Sequence, residues 1–417
     1  MRNKVRTQRL VAMLAAASIV TVTAVGCSSS NTADSNTSSG TESTSPDNPA
    51  TGSPITIGYT NTEGKSALSV PAYSAGVELA IKRVNDHGGI NGHPLELDKC
   101  LTDGSAASSL SCANRFVAHK VPVVLSGYDL GVDAMVPVLN GAKIPLFGVA
   151  FQGAKAQANP EFYQISAPLA SIFAVPFDAF AKAGKKKIAF VSADVPTVQL
   201  AFGDFLKPLA SKLGLSLSLV TYDPSSLDFS AAVATLKANG IEAAIFGGND
   251  DMCLGFVNAA TAAGYEGVVN TGVCHKFLGK YGNRVAGYQA VSFLYPPEAR
   301  DSAPKAKQTE IDQYVDDVEQ AGEEDNTDGA SLAGYASVMN LQDILTAVDG
   351  SVTAASTAAA FKSLSGFEGF AGNTIDCANR TAAQGASCDT ELLLMEVDES
   401  GESLTVLGDG YVPPPAG

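Results

Sequence analysis

From Pro54 onward the chain alternates short β-rich runs with amphipathic helical stretches, and this alternation restricts its possible folds more than any other feature. The run "ITIGYT", Ile55 to Thr60, reads as a first strand. Val77, Ala80, Ile81 and Val84 then recur at helical spacing until Gly88 and Gly89 stop the helix. "LELDKC" is a strand followed by the helix-like "AASSLSCANRFVAHK", and "PVVLSG" and "IPLFGV" flank a helix over residues 131–142. A second series begins at "KKIAFVSA" and runs through "LSLSLVTY", "EAAIFGG" and "GVVNTG", with helices between them. Strands separated by helices imply parallel sheets joined by right-handed crossovers. Two such series without a polar linker predict two lobes with a cleft. After the strand "GYQAVSFLY", two or three helices cover residues 303–364. Having no strands of their own, they are expected to return to the first lobe, and "ELLLMEV" is expected to end the ordered chain as a strand.

The N-terminus follows another logic. Arg2, Lys4, Arg6 and Arg9 precede "LVAMLAAASIVTVTAVG", an uncharged run that reads as a secretory signal. A membrane span needs about 20 apolar residues, and no stop-transfer charges follow. The ending Ala24, Val25, Gly26, Cys27 resembles the bacterial lipobox, which implies cleavage before Cys27 and diacylation of that cysteine. The other reading is an ordinary signal with an incidental cysteine. In residues 28–53, Ser and Thr fill 14 of 26 positions and no larger aliphatic or aromatic side chain occurs, so the stretch cannot bury enough surface to order itself. A flexible coil of that length reaches roughly 25 to 30 Å. Residues 1–26 are therefore expected to be a lipoprotein signal peptide, and 27–53 a disordered tether.

Loss of the signal leaves 23 Lys and Arg against 43 Asp and Glu, a formal charge of −20, which argues against a nucleic-acid partner. Beyond Cys27 there are six cysteines: Cys100, Cys112, Cys253, Cys274, Cys377 and Cys388. An even set in an exported chain suggests disulfides, although six cysteines allow about 15 connectivities. Consecutive pairing, Cys100–Cys112, Cys253–Cys274 and Cys377–Cys388, keeps each bridge within one strand-helix or loop unit and is the expected pattern. No C-x-x-C occurs and no histidine has ligand spacing to a cysteine pair, so zinc is not expected.

Catalytic motifs are missing. "GYTNTEGKS" resembles a phosphate-binding loop, but five residues separate Gly58 from Gly64 where that motif has four; the position between strand and helix still suits a ligand contact. "GASLAG" is not a nucleophile elbow. His87, His93, His119 and His275 sit in turns or at helix ends, and the acid-rich "EQAGEEDNTDG" lacks the terminal Glu of a calcium loop. No enzyme activity, cofactor or metal is expected.

The order and spacing of "ITIGYT", "AIKRVNDHGGINGHPLELDKC", "LSGYD", "IAFVSAD" and "EAAIFGGNDD" resemble the Leu/Ile/Val-binding family of substrate-binding lipoproteins of ABC importers, over about residues 54–400. Its most specific item is the helix-to-strand turn "NDHGGINGHPLEL". The resemblance implies the two-lobed α/β type I periplasmic-binding-protein fold, each lobe a parallel sheet flanked by helices, with three hinge crossovers near 167–170, 294–298 and 369–373. Lobe one would be 54–168 plus 296–371, and lobe two 169–295 plus 372–417. It also implies a monomer on the extracytoplasmic face of a bacterial membrane, lipid-anchored, that captures a small organic solute and delivers it to an ABC permease. The alternative is a sensor of the same fold acting on a signalling partner.

In amino-acid binders of this family, hydroxyls after the third and fourth strands hold the ligand carboxylate and an acid in lobe two pairs with its ammonium. Those slots align with Gly131, Gln152, and Val273 or Cys274, so the acid is missing here. The Gly131 N–H and the Gln152 amide are the expected carboxylate or carbonyl donors, with Tyr128 and Phe151 supplying aromatic surface. Asp129, Leu130, Ala150 and Thr197 complete the expected contacts. Asn249, Asp250 and Asp251 are candidates to replace the acid, or else the N-cap of the next helix.

Overall fold

The computed structural model describes residues 49–415 except 65–68, 150–152, 224, 324–328 and 383. Its first sheet holds β1 (Ile55–Thr60), β2 (Leu95–Lys99), β3 (Val124–Ser126), β4 (Leu146–Gly148) and β5 (Phe162–Gln164). All are parallel, in the order β2-β1-β3-β4-β5. The connecting helices are α1 (Pro71–Asp86), α2 (Ala106–His119), α3 (Val132–Ala142) and the single turn α4 (Ala154–Gln157). Pro71 at the first position starts α1 where its missing N–H costs nothing, and the Ser105 hydroxyl caps α2 by accepting from the Ser108 N–H. Past α1 the chain reverses at Gly88 (φ +96°) and Gly89 (φ +63°), as the sequence predicts.

The second sheet holds β6 (Lys187–Ala193), β7 (Ser216–Tyr222), β8 (Ala243–Gly247), β9 (Val268–Asn270) and β10 (Gln289–Ser292), which run parallel. Its helices are α5 (Leu169–Lys182), α6 (Pro196–Ala201), continuing through a π-helical turn at Phe202–Leu206 into α7 (Lys207–Lys212), α8 (Ser230–Ala238) and α9 (Asp250–Ala262). Three further helices follow: α10 (Lys305–Ala321), α11 (Gly329–Thr346) and α12 (Ala354–Ser363). They return to the first sheet's layers, α10 and α11 against α1 and α12 against β4 and β5. The α1 and α11 backbones touch through two glycines, since a Cβ on Gly76 would stand 1.9 Å from the Ser331 carbonyl oxygen and one on Gly334 2.1 Å from that of Tyr73. Arg83 pairs with Asp317 of α10 at 2.8 Å, and the Phe361 ring of α12 stacks on Phe147 and Tyr163 at 4.9 and 4.7 Å.

The chain then forms a small antiparallel pair, β11 (Phe367–Glu368) and β12 (Thr374–Ile375), before β13 (Leu392–Val397) and β14 (Leu404–Val412). Two expectations are corrected here. "ELLLMEV" does not end the ordered chain, because β14 folds back on β13; the turn is held by Asp398, whose carboxylate accepts from the Ser400 hydroxyl and the Gly401 N–H. The second sheet is also not wholly parallel, since β13 pairs antiparallel with β10, giving the order β14-β13-β10-β9-β8-β6-β7.

Two boundaries shift as well. The signal peptide, Cys27 and the tether to residue 48 lie outside the described residues. The last tether residues are docked rather than free: Ala50 N–H donates to Asn85 O at 3.0 Å and Gly52 N–H to Gly92 O at 2.8 Å. Residues 376–388, expected in the second lobe, run along β5 instead. Gln164 N–H donates to Ala386 O and Cys388 N–H to Gln164 O, while Arg380 donates to the carbonyls of Phe162 and Ala386 and lies over the Tyr163 ring. A sheet edge offers unpaired backbone groups, and this segment satisfies them.

The structure joins Cys100 to Cys112, Cys253 to Cys274 and Cys377 to Cys388, with Cα separations of 5.6, 6.6 and 4.4 Å. No helix among the described residues is long and apolar enough to cross a membrane.

Candidate ligand-binding site

In a parallel α/β sheet, the loops beyond the strand carboxyl ends form one rim, and ligands bind there. The rim of the first sheet is organised by a carboxylate that faces inward. Asp129, just past β3, is wholly buried. Its Oδ1 accepts from the hydroxyls of Ser109 (2.7 Å) and Thr102 (3.1 Å) and from the Gly131 N–H (3.0 Å), and its Oδ2 from the Thr60 hydroxyl (3.1 Å). One side chain thus ties the end of β1, the loop after β2, α2 and the start of α3.

Neighbouring donors complete the same rim. Tyr128 N–H reaches the Asn61 side-chain oxygen at 3.0 Å and Leu130 N–H the Thr62 hydroxyl at 3.3 Å. The Tyr128 ring packs edge-on against Tyr73, 5.5 Å between centroids. Behind it, Tyr59 and Glu63 meet at the Ser74 hydroxyl, and burial pushes the Tyr59 phenol well above its ordinary range. On the outward side of this loop Leu130 is 41% exposed.

The rim of the second sheet begins at β6 and β8. The Tyr222 hydroxyl donates to the Gly247 carbonyl at 2.9 Å, and burial pushes its phenol up to about 12. The Asn249 side chain accepts from Met252 N–H at 3.0 Å and so caps α9. Asp250 lies 3.5 Å from the Lys276 ammonium. Past β9, the Asn270 side chain accepts from Gly272 N–H, and its buried amide nitrogen has no hydrogen-bond partner among the described residues. Val273 stands 50% exposed. Its carbonyl oxygen lies 3.7 Å from where a Cβ on Gly329 would sit, so this loop approaches the start of α11 on the first lobe.

These positions sort the sequence-derived candidates. Tyr128, Leu130 and Val273 lie on the rims. Asp129 is at the rim but directed into the lobe, with four donors on its carboxylate. The Gly131 N–H is not available to a ligand as expected, because it is spent on Asp129; a Cβ there would fall 2.2 Å from the Ser109 hydroxyl oxygen, so the position admits only glycine. Asn249 is the N-cap, the bland reading of that residue. Cys274 is bonded to Cys253, which removes its thiol from ligand chemistry. Thr197 lies on α6 with only its backbone described, and Ala150, Phe151 and Gln152 lie outside the described residues. Asn61, Thr62, Asn270 and Lys276 escaped the sequence reading. For the first two a signal existed, since they directly follow β1 in a loop already marked as a ligand contact.

A family model described as "Periplasmic binding protein" matches residues 54–402. Among curated relatives, "Leu/Ile/Val-binding protein homolog 1" of Brucella abortus (strain 2308) is 24% identical over 262 residues, 58% of this chain and 67% of its own. Among solved structures, the branched-chain amino acid transporter substrate-binding protein LivJ of Streptococcus pneumoniae, in complex with isoleucine, superposes with a TM-score of 0.65 at 18% identity, over 85% of this chain and 99% of its own. A solute-binding protein of an ABC transporter from Rhodopseudomonas palustris HaA2, in complex with p-hydroxybenzoic acid, gives 0.68 at 17% identity, over 87% and 98%.

Proposed function

The chain belongs to the periplasmic binding protein family, and from that premise we propose that it is a lipid-anchored receptor which captures a small organic solute between two lobes and delivers it to an ABC permease. The observation that carries this reading is the pair of sheets, each presenting the carboxyl ends of parallel strands, with Val273 of one rim approaching Gly329 of the other lobe. Lobe one comprises residues 54–168 and 296–388, including the 376–388 segment on β5, and lobe two comprises 169–295 and the β13–β14 hairpin. A solute touching both rims stabilises the approached arrangement over any in which the rims part.

The ligand is neutral or anionic, with an apolar or aromatic part. An ammonium buried without an acceptor costs several kcal/mol, and the slot that pairs with it in amino-acid binders holds Val273 beside the bridged Cys274. Asp129 is fully engaged, and Asp250 has Lys276 beside it. An aromatic acid such as the p-hydroxybenzoic acid held by the R. palustris protein fits this description better than the isoleucine held by LivJ. Cys27 carries the lipid, and the three disulfides form on export.

Thermal-shift screening of the mature chain against amino acids, amides, aromatic acids and polyols tests the reading. A ligand at 100 times its dissociation constant adds about 2.7 kcal/mol. Stabilisation by a member of one class supports it, and chromogenic ester hydrolysis with no stabilising solute overturns it.

A further inference from the structure

All three connections between the sheets meet at one cavity. Ile165 borders it from the segment after β5, Phe293 and Leu294 from the segment after β10, and Asp389 from the short stretch between the 376–388 segment and β13, so the third crossing lies here and not near 369–373 as expected; Gly372 and Asn373 line the cavity from the β11–β12 return. The β11–β12 return ties the second connection to the third: Leu294 bridges to Gly372, Tyr295 N–H donates to Ala371 O at 2.7 Å, and the Asn373 amide reaches Asp389. Asp389 lines the same cavity and is 6% exposed. Its carboxyl accepts from Glu391 N–H at 2.9 Å and from the Asn373 side-chain amide at 3.2 Å, and that amide also donates to the Glu391 carboxylate at 3.0 Å.

We propose that Asp389 makes the hinge a pH-sensitive switch: protonation of its carboxyl favours the lobe arrangement seen here, and ionisation favours one that admits water to the hinge cavity. The proposal rests on the two-lobed receptor reading and adds a control that acts without ligand.

The charged surroundings favour the neutral form. Glu391 is the nearest acid on the same segment. Tyr411 of β14 is next to Asp389, Glu391, Glu310 and Tyr295, and it remains a neutral phenol. From α10, Glu310 accepts from the Ala371 N–H, and Lys307 sits 3.3 Å from Glu310 while donating to Gly369 O. Glu368 lies 4.0 Å from Lys307, and Asp343 of α11 is near Glu310. The cation of this cluster is therefore engaged with Glu310 and a carbonyl. Burial, helped by Glu391 and opposed by hydrogen bonds from the Glu391 and Thr390 backbone and the Asn373 amide, raises the Asp389 carboxyl from an ordinary 3.8 to about 6.

The sign follows. An acid whose pKa is raised in one arrangement penalises that arrangement as pH climbs from the ordinary value to the raised one, and the penalty is constant above it. Between about pH 4 and 6 the packed hinge therefore loses ground, by a factor on the order of a hundred if the hydrated arrangement restores the ordinary value.

The test is the distance between lobes in the ligand-free mature protein. Probes introduced by amber suppression at the exposed Lys82 and Lys212 leave the cysteines paired. Double electron–electron resonance from pH 4.5 to 7.5 should show one distance population replaced by another as pH rises. Asp389→Asn, which keeps the acceptor oxygen, should hold the low-pH population throughout. Glu391→Gln, which removes the neighbouring charge, should move the midpoint to lower pH, and it keeps the test decisive if Asp389→Asn fails to fold. A distribution constant with pH in the wild type, or a response that survives Asp389→Asn, or a midpoint unmoved by Glu391→Gln, overturns the proposal. Failure of the receptor reading looks different: the distance then moves with pH while no solute changes it.

Discussion

The Ser109 hydroxyl donates to the Asp129 carboxylate at 2.7 Å, linking α2 to the loop after β3 inside a fully buried network. The relationship inverts the role expected of Asp129. Its carboxylate fixes the rim from behind, and in the proposed receptor the solute would meet its neighbours instead.

Removing that carboxylate takes the acceptor from the Thr60 hydroxyl and the Gly131 N–H and leaves the Thr102 and Ser109 hydroxyls only their longer bonds to the Asn61 and Ser105 carbonyls. Hydrogen bonds to charged groups contribute about 1.5 to 3 kcal/mol each, though not additively. Asp129→Ala should therefore lower stability by about 3 kcal/mol or more in urea unfolding, and Ser109→Ala by about 1 to 2 kcal/mol. Equal, sub-kcal effects of both would mean the network is not what holds the rim.

The disulfides are checked by non-reducing peptide mapping, which should return only the three consecutive pairs. A peptide joining Cys112 to Cys253 would link the lobes covalently and contradict hinge motion. Replacing Cys253 and Cys274 by alanine frees a loop spanning 21 residues, which the chain-entropy model values at about 3 kcal/mol. That loss should appear in lobe two by hydrogen exchange before it appears in lobe one.

Cys27→Ala should leave the precursor unlipidated and move the protein out of the detergent phase on Triton partitioning. If the variant still partitions with membranes, the anchor is elsewhere.

The alternation of strands and helices was legible because each long strand is a compact apolar run and each helix carries a stripe. What escaped was short or distant. β5 is as short as β3, β4 and β9 but lacks their aliphatic runs, since it reads Phe162, Tyr163, Gln164, and β14 is interrupted by Gly408 and Gly410. The 376–388 segment could not be assigned because what it satisfies is an exposed sheet edge, which exists only after the sheet has formed. The site was legible as loop positions and much less as chemistry. Thr60, Thr102, Ser109 and Asp129 come from four separate segments, and no local pattern announces that they converge. Asn249 was ambiguous for a different reason, since a polar residue after a strand suits a cap and a ligand contact equally well.

The central claim is a receptor whose cleft lacks a partner for a ligand ammonium, and calorimetry with leucine against p-hydroxybenzoate tests it most directly. The account predicts heat from the aromatic acid with a dissociation constant in the micromolar range, and none from leucine at concentrations up to about a millimolar, a gap of about 4 kcal/mol in binding free energy. Leucine binding at a few micromolar or tighter would contradict it, and loss of that binding in Asp250→Asn or Asp251→Asn would locate the acid that pairs with the ammonium.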